Sequence, residues 1–316
     1  MRPALATALT LAMTACLAGQ REAPSRTIEF DETVRVSVPR GARELRLWIP
    51  KPPDSGPQTA RLVRLEAPVP YAVTREPEFG NETIFLRADR TAGRTLEVRL
   101  SYVIGRRPQG AYRGRIPPTS REREPRGLLA VDDGIRAVAD AQTRGLVDPF
   151  EKARALYGFV LKMMSYDKSE AGWGLGDSLR ACSTGKGNCT DFHSLFIALA
   201  LAQGIPARFM TGLAIPRTGA GQVLGYHCWA EFHAGDAWVP VDISEAWKNP
   251  ALAARYFGSL DADRILLSTG RAIRLAPPQQ GPAINFLHEP YAEADGRPLA
   301  EVTLERRFRE RPAWGG

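Results

Sequence analysis

The stretch GKGNCTDFHSLFIALALAQGIP, residues 185–206, is the most informative part of the chain. Its apolar residues recur at i, i+3, i+4 and i+7, namely at Phe192, Leu195, Phe196 and Leu199. This spacing predicts a helix with one apolar face turned toward a core. Asn188 is a favourable N-cap residue, and Asp191 has the place of the acidic partner in a capping box. We therefore expect a helix that begins at Cys189 and ends at Gly204.

Cys189 is the predicted first residue of this helix. At that position the helix dipole and the free backbone N–H groups stabilise a negative sulfur, which lowers the pKa of the thiol. Gly185 and Gly187 leave the approach to the sulfur open. Cysteines often just fill a core, but a place between glycines and a helix start suits that role poorly. The pattern indicates a nucleophilic thiol.

The segment GYHCWAEFHAGDAWVPVDI, residues 225–243, predicts a β-hairpin. Its turn is Gly235-Asp236, with glycine at the first central position as a type II′ turn prefers. A two-residue loop there places Trp229 opposite Asp242, so His227 and Asp242 become diagonal neighbours on one face, within reach of a hydrogen bond. A shift of one residue would put the two side chains on opposite faces.

Cys189, His227 and Asp242 form a candidate catalytic triad. Cys189 would be the nucleophile and His227 the general base and then acid, while Asp242 would fix the imidazole tautomer and stabilise its cation. Trp229 and Glu231 share the face of His227. We expect Trp229 to shield the His–Asp pair and Glu231 to form a hydrogen bond near the site, with an inert role as the alternative for each.

These residues resemble the transglutaminase-like superfamily. The resemblance is carried by GKGNCTDFHSLF around Cys189, by ALAQGIPAR at 200–208, by the H-x-W-x-E pattern from His227, and by WVPVD, which ends at Asp242. It covers about residues 130–250. More closely, the chain is similar to exported bacterial transglutaminase-domain proteins with an N-terminal β-rich region. This similarity continues through the segments DISEAWKNP and NFLHEPYAEADG. The chain departs from the family where D-I-S replaces the common D-P-T.

The resemblance implies a papain-like α+β core in which the Cys–His–Asp triad forms an acyl-thioester. It implies a peptide or protein substrate with an amide or glutamine group, and we favour hydrolysis of amide or peptide bonds. Protein crosslinking by the same triad is one alternative, and a non-catalytic envelope scaffold or binding module is another. No acidic cluster corresponds to the calcium sites of the animal enzymes, so we expect neither a metal nor a cofactor.

The oxyanion hole is only partly defined by the sequence. The backbone N–H of Cys189 is the natural first donor, because the charge develops beside the nucleophile. The family takes its second donor from an upstream residue, and Trp173, Tyr166 and Ser178 are all candidates. His193 lies one helical turn after Cys189 and is a candidate for the pocket border, although a packed helix histidine is the simpler interpretation.

Other interpretations of the same residues are weaker. The G-D-S-L sequence at 176–179 matches a serine esterase motif, but that family also expects a D-x-x-H sequence, which no histidine of this chain completes. The side chains that a zinc site would use are Cys182, Cys189, His193 and Cys228. No close Cys-x-x-Cys pair exists, and Cys228 alternates away from His227. An oxidising compartment would permit a disulfide between Cys182 and Cys228, and the sequence does not decide between this disulfide and two free thiols.

The remaining sequence predicts further regions. Residues 27–106 alternate with period two between Pro, Gly and Asp clusters, which is typical of an all-β, sandwich-like domain. Residues 107–127 form a basic, Pro-rich connector with six arginines, interpreted as a solvated linker or as a contact with an anionic envelope polymer or membrane surface. Helices followed by strands in 128–250 predict the α+β catalytic core, and residues 251–316 a C-terminal extension with strands.

The first residues predict export. Residues 1–19 combine Arg2 with an apolar run that is too short to span a bilayer, which is the layout of a signal peptide. Cys16 follows Met-Thr-Ala as in a bacterial lipobox, so lipidation of Cys16 is the favoured interpretation and ordinary cleavage after Ala18 the alternative. In either case we predict a periplasmic protein or a membrane-anchored lipoprotein of the bacterial cell envelope.

Length and charge set the remaining limits. The chain has 316 residues, of which 44% are hydrophobic and 24% charged; this is a globular composition with room for two domains. Its formal net charge is +7, which we interpret as a basic envelope surface rather than a nucleic-acid site. With only four cysteines and four histidines, thiol and imidazole chemistry has few candidates.

Overall fold

The computed structural model describes residues 25–89, 93–114 and 117–311. Within these ranges the chain forms a mixed α and β structure with antiparallel sheets and a β-rich N-terminal region, which confirms the predicted fold class. The predicted signal peptide and Cys16 lie outside the described residues. Across the described ranges no helix is long and apolar enough to cross a bilayer.

The strands and helices are numbered in chain order. The strands are β1 (Arg26–Ser37), β2 (Glu44–Lys51), β3 (Gln58–Glu66), β4 (Tyr71–Arg75), β5 (Glu82–Asp89), β6 (Thr95–Arg106), β7 (Ser165–Tyr166), β8 (Lys186–Gly187), β9 (Ala207–Ala214), β10 (Ala220–Gln222), β11 (His227–Ala234), β12 (Ala237–Val241), β13 (Arg264–Thr269), β14 (Tyr291–Ala294), β15 (Arg297–Pro298) and β16 (Val302–Arg311). The helices are α1 (Ser120–Arg123), α2 (Asp133–Gln142), α3 (Pro149–Met163), α4 (Ser178–Thr184), α5 (Cys189–Ala202) and α6 (Ile243–Lys248).

Helix α5 is the centre of the α+β core. Every residue from Cys189 to Ala200 is buried, so the helix is covered on all sides rather than along the single apolar stripe that the sequence predicts. Helices α2, α3, α4 and α6 surround it, and the antiparallel sheet β12-β11-β9-β13 packs against it. A helix enclosed in this way has a fixed N-terminus, which is where the candidate nucleophile lies.

Two five-stranded sheets form the β-sandwich, in the orders β10-β16-β1-β6-β3 and β15-β14-β2-β5-β4. Their inner faces share an apolar core, and alternate residues of β1 point into it: Ile28, Phe30, Val34 and Val36. The sheet β12-β11-β9-β13 of the α+β core, called the core sheet below, contacts this apolar cluster, because Leu213 of β9 and Ile265 of β13 pack into it. The sandwich and the catalytic core are therefore held together by apolar contacts.

The predicted boundaries at 106 and 251 differ from this arrangement. Strand β16 pairs with β1 from Thr27–Arg311 to Val36–Val302, and β14 pairs with β2. Strand β13 instead pairs with β9 of the core. The C-terminal segment is thus divided between the two sheet systems. Period-two patterns identify each strand, but they carry no information on which distant strand becomes the neighbour.

The connector at 107–127 is packed rather than solvated along its first part. Gln109 exchanges backbone hydrogen bonds of 2.9 and 2.8 Å with Leu260, and Tyr112 exchanges bonds of 3.0 and 2.8 Å with Trp238. Gln109 is buried. The segment therefore lies across the core like an additional edge strand, and it brings polar side chains to the back of the core sheet.

Phe308 tests the role of the C-terminal strand in the sandwich. It is buried opposite Phe30, so we expect Phe308→Ala to lower the free energy of unfolding by about 3–5 kcal/mol through lost apolar contact and a cavity. The neighbouring Arg307 is exposed, and Arg307→Ala should change that free energy by less than about 0.5 kcal/mol. Urea unfolding of both variants measures the difference, and equal stabilities would show that β16 is not part of the core.

Candidate active site

A capping box places Cys189 at the first position of α5. The Asn188 side chain accepts a hydrogen bond from the backbone N–H of Thr190 at 2.8 Å, and the Asp191 carboxylate accepts from the N–H of Asn188 at 2.9 Å. Both interactions of the motif are present. The helix start matches the sequence prediction, and the Cys189 side chain lies among the free N–H groups of the first turn.

Asp191 also organises the loop that passes over this helix start. Its buried carboxylate accepts the N–H of Gly174 at 2.7 Å and that of Gly176 at 3.1 Å. Gly187 lies so close that a Cβ on it would be 2.2 Å from Oδ2 of Asp191, which explains why this position needs glycine. One carboxylate therefore holds three backbone N–H groups, from two segments of the chain, around the nucleophile.

The hairpin forms with the predicted register. Gly235 has a φ of +59° at the first turn position, and Ala234 pairs with Ala237. His227 and Asp242 consequently lie on one face, with Nε2 of His227 2.6 Å from Oδ2 of Asp242. The imidazole also forms a side-chain hydrogen bond with the Cys189 thiol. The structure thus brings together all three residues of the predicted triad.

Asp242 is completely buried and accepts hydrogen bonds from four groups. Beside His227, the Arg264 guanidinium donates to Oδ2 at 2.7 Å, and the Ser244 hydroxyl and Glu245 N–H donate to Oδ1 at 3.1 and 3.0 Å. Burial alone would raise the pKa of Asp242, but His227 and Arg264 hold that pKa well below its usual value. The carboxylate is therefore a permanent anion beneath the imidazole.

The charges in the triad favour an ion pair. Burial opposes protonation of His227, but the Asp242 charge and hydrogen bond, with the Cys189 sulfur, raise the pKa of His227 to about 10. A hydrogen bond from Cys228, followed by the hydrogen bond and charge of His227, brings the pKa of the Cys189 thiol well below its usual value despite burial. Both directions favour a Cys189 thiolate beside a His227 imidazolium, the form in which sulfur is nucleophilic.

Cys228 belongs to the site, contrary to its predicted place behind the active face. Its side chain alternates away from His227 as expected, but that face of β11 is covered by the start of α5. The Cys228 sulfur lies 3.6 Å from Oγ1 of Thr190 and forms a hydrogen bond with Cys189. Burial raises the pKa of Cys228 well above its usual value, so this thiol stays protonated and can donate a hydrogen bond to the Cys189 sulfur. Cys182, Cys189 and Cys228 are all free thiols.

His193 lies beneath the triad rather than at the border of a pocket. It is fully buried, with Nδ1 2.7 Å from the carbonyl oxygen of Cys189 and Nε2 accepting the N–H of Ile243 at 3.0 Å. One nitrogen is thus a donor and the other an acceptor, which is the neutral tautomer. Burial lowers the pKa of His193. The ring connects the start of α5 to the start of α6 and so fixes the distance between two triad elements.

Trp229 and Glu231 have different surroundings although they share a face. The Trp229 ring is buried and lies 6.3 Å from the His227 ring at an interplanar angle of 29°, beside the His–Asp pair. The Glu231 carboxylate instead accepts hydrogen bonds from Gln109, Tyr112 and Arg208 at 2.6–2.8 Å. Glu231 is engaged at the back of the sheet, where the connector supplies partners that the sequence pattern did not indicate.

The candidates for the second oxyanion donor are distinguished by their contacts. The Ser178 hydroxyl donates to the carbonyl of Ala130 at 2.7 Å, so it serves the packing of α4. Trp173 is 40% exposed, with the Lys168 ammonium 5.0 Å from its ring. The hydroxyl oxygen of Tyr166 lies against the backbone N–H of Cys189, the predicted first donor.

Arg264 is the main site residue that sequence reasoning missed. It begins the strand RILLST as a single cation before a buried apolar run, which was an available signal for a buried ion pair. In the described ranges no three His, Cys, Asp or Glu side chains cluster in a way that could hold a metal ion.

Comparison with known proteins supports the identification of the core. Residues 136–243 match the sequence profile of the transglutaminase-like superfamily. The chain is 29% identical over 327 residues to an uncharacterized protein of Haemophilus influenzae, with 86% of each chain covered. It is similar in fold to a protein of Cytophaga hutchinsonii, provisionally described as a cysteine protease, at 15% identity and a TM-score of 0.55, covering 92% of this chain and 93% of that one.

The Cys228 thiol offers a direct test of the nucleophile's environment. In Cys228→Ala we expect the pH midpoint for alkylation of Cys189 by iodoacetamide to rise by about 1–2 pH units, because the thiolate loses a hydrogen-bond donor. The matched control is Cys182→Ala, which removes a thiol that makes no contact with Cys189, and its midpoint should stay at the wild-type value. Mass analysis of the Cys189 peptide follows the reaction. An unchanged midpoint in Cys228→Ala would contradict the contact.

Proposed function

We propose that the protein is a cysteine hydrolase that cleaves amide or peptide bonds through an acyl-thioester on Cys189, in keeping with the match of residues 136–243 to the transglutaminase-like superfamily. The observation that carries the proposal is the hydrogen-bonded series in which Asp242 holds His227 at 2.6 Å and His227 faces the Cys189 thiol. A histidine with a purely structural role would not require a buried carboxylate that raises its pKa, nor a cysteine thiol next to its ring.

The reaction follows from the ion pair. The Cys189 thiolate attacks the carbonyl carbon of the substrate, and a C–S bond replaces the C–N bond as the leaving amine takes the proton of His227. The neutral imidazole then accepts a proton from water while the water oxygen attacks the thioester. The C–S bond breaks, the carboxylic acid leaves, and the thiolate and imidazolium are restored.

The developing negative oxygen needs donors beside the nucleophile. The N–H of Cys189 lies at the start of α5, and the Tyr166 hydroxyl lies against it. We propose that the Tyr166 O–H is the second donor of the oxyanion hole. Its phenol keeps its proton, because burial raises its pKa above the usual value.

Water and an amine compete for the same thioester. Hydrolysis is favoured because the fold neighbour from Cytophaga hutchinsonii bears a provisional description as a cysteine protease, and because water is the acceptor that requires no second binding site. The signal-peptide layout of residues 1–19 supports an envelope location, with envelope peptides or proteins as the substrate class and Cys16 as the lipid anchor. A basic surface suits work next to anionic envelope polymers.

Trapping the thioester tests the proposed activity. The full mature chain is mixed with glutamine-containing and glutamine-free peptides, quenched in acid and weighed intact. We expect an acyl adduct on Cys189 that is absent from Cys189→Ala. In Asp242→Asn the turnover number should fall by up to about 10⁴-fold, because the imidazole loses its orienting anion.

A nucleophilic amine distinguishes the two acceptors. With methylamine present, a hydrolase releases mainly the free acid, and a transferase releases mainly the N-methyl amide, which differs in mass. A predominance of the amide would replace hydrolysis by acyl transfer. The absence of any adduct with every peptide would leave the scaffold role and contradict the enzyme.

Tyr166→Phe tests the oxyanion hole. Removing the hydroxyl while keeping the ring should lower the turnover number by about 10²–10³-fold with little change in KM, since the donor acts mainly on the transition state. Trp173→Phe is the matched control at another aromatic residue near the site, and we expect it to lower the turnover number far less. The reverse order of the two effects would assign the second donor to Trp173.

A further inference from the structure

The Asp242 carboxylate is held by a part of the chain that lies outside the family-matched residues 136–243. The loop between α6 and β13 supplies Tyr256, and the first residue of β13 is Arg264. The backbone N–H of Asp242 donates to the carbonyl oxygen of Tyr256 at 3.0 Å, and Nη1 of Arg264 donates to Oδ2 of Asp242 at 2.7 Å. Residues 256–264 therefore contact Asp242 through both its main chain and its side chain.

Asp261 is a second anion in this loop. Its Oδ1 accepts from Nη2 of Arg264 at 3.3 Å, and its Oδ2 accepts from the O–H of Tyr256 at 3.1 Å. The guanidinium thus lies between two carboxylates, Asp242 on one side and Asp261 on the other. The contacts close into a ring of four residues: Asp242, Arg264, Asp261 and Tyr256.

Burial makes the charges of this ring act strongly on one another. The side chains of Asp242 and Arg264 are 0% and 4% exposed, and that of Asp261 is 14% exposed. Charges that are removed from water in this way are screened much less than charges at a surface. The charges of Arg264 and Asp261 therefore extend to the neighbouring His227 ring.

Oδ2 of Asp242 is shared by two cations. Nε2 of His227 lies 2.6 Å from it, and Nη1 of Arg264 lies 2.7 Å from it. Each cation weakens the binding of the other, because like charges in one site disfavour each other. Asp261 opposes this effect, since it is an anion bound to the other end of the same guanidinium. The balance between Arg264 and Asp261 therefore affects how strongly the imidazole holds its proton.

Other titratable and charged side chains lie around the same centre. They are Cys189 and His193 of α5, Cys228 and Glu231 of β11, Tyr157 of α3, Glu245 of α6, Tyr256 of the loop and Arg106 of β6. In the described part of the chain, Arg264 forms ion pairs with Asp242 and Asp261 alone. These two carboxylates are therefore the groups that counterbalance its charge.

We propose that Arg264 and Asp261 are positioning residues of the triad, which act on the His227 imidazole through the Asp242 carboxylate. Arg264 fixes the orientation of that carboxylate and weakens its hold on the imidazole proton, and Asp261 limits this weakening. The catalytic meaning of both roles rests on the proposed hydrolase function. The protonation states that they control, however, can be measured without a substrate.

Two substitutions should move the titration of the site in opposite directions. Asp261→Asn removes an anion and leaves Arg264 paired with Asp242, so the deprotonation of Cys189 and that of His227 should both occur about 1 pH unit lower. Arg264→Gln removes a cation, so both steps should occur about 1 pH unit higher. Damage to the packing alone would not shift the two variants in opposite directions.

The full mature chain serves for both measurements. Iodoacetamide alkylation of Cys189, followed by mass analysis of its peptide, gives the pH midpoint of the thiol, and NMR of the His227 ring gives that of the imidazole. The matched control is Asp263→Asn, which removes a carboxylate of the same loop whose ion pairs are with Arg26 and Arg217. Both midpoints of this control should stay at the wild-type values.

A conservative variant separates charge from shape. Arg264→Lys keeps the cation, so its midpoints should lie within about 0.5 pH unit of the wild-type values. If Arg264→Gln fails to fold, Asp261→Asn and Arg264→Lys still decide the question. Midpoints in Asp261→Asn that stay unchanged or rise overturn the proposal. The expected shifts in a chain that cleaves no peptide would support it and contradict only the hydrolase function.

Discussion

The Asp242 carboxylate is the constraint on which the rest of the site depends. A fully buried anion is tolerated only when all its oxygens are paired, and here the partners come from three separate elements: His227 from β11, Arg264 from β13 and backbone N–H from α6. Pairing this one charge therefore requires β11, β13 and the start of α6 to be aligned around Asp242. The position of the imidazole, and through it the state of the thiol, follows from that alignment.

Two buried histidines in one centre have opposite protonation states, and the reason is local. His227 shares a short hydrogen bond with Asp242 and is held as a cation. His193 is 3.7 Å from the other oxygen of Asp242, but its nitrogens are occupied by a carbonyl and an N–H. A hydrogen-bond acceptor role requires a neutral ring. The same carboxylate thus acts on one ring as a proton partner and on the other only as a distant charge.

Much of the site was predictable because its determinants are local in sequence. The turn at Gly235-Asp236 sets the register of β11, and the cap at Asn188 sets the start of α5. The partners of Glu231 and the role of Arg264 were not predictable, since they arise where segments far apart in sequence meet. Cys228 shows the limit most clearly: strand parity assigned its face correctly, but only the packed helix reveals that this face meets the nucleophile.

The position of β16 has a consequence for biosynthesis. It lies between β1 and β10, so the first strand of the sandwich has an open edge until residues 302–311 have left the ribosome. Domains ordinarily fold in the order in which they are made, but this sandwich closes only when its two ends meet. Until then β1 presents unpaired N–H and C=O groups. The sandwich therefore completes its sheets only after residues 302–311 have been synthesised, and thus after every strand and helix of the α+β core.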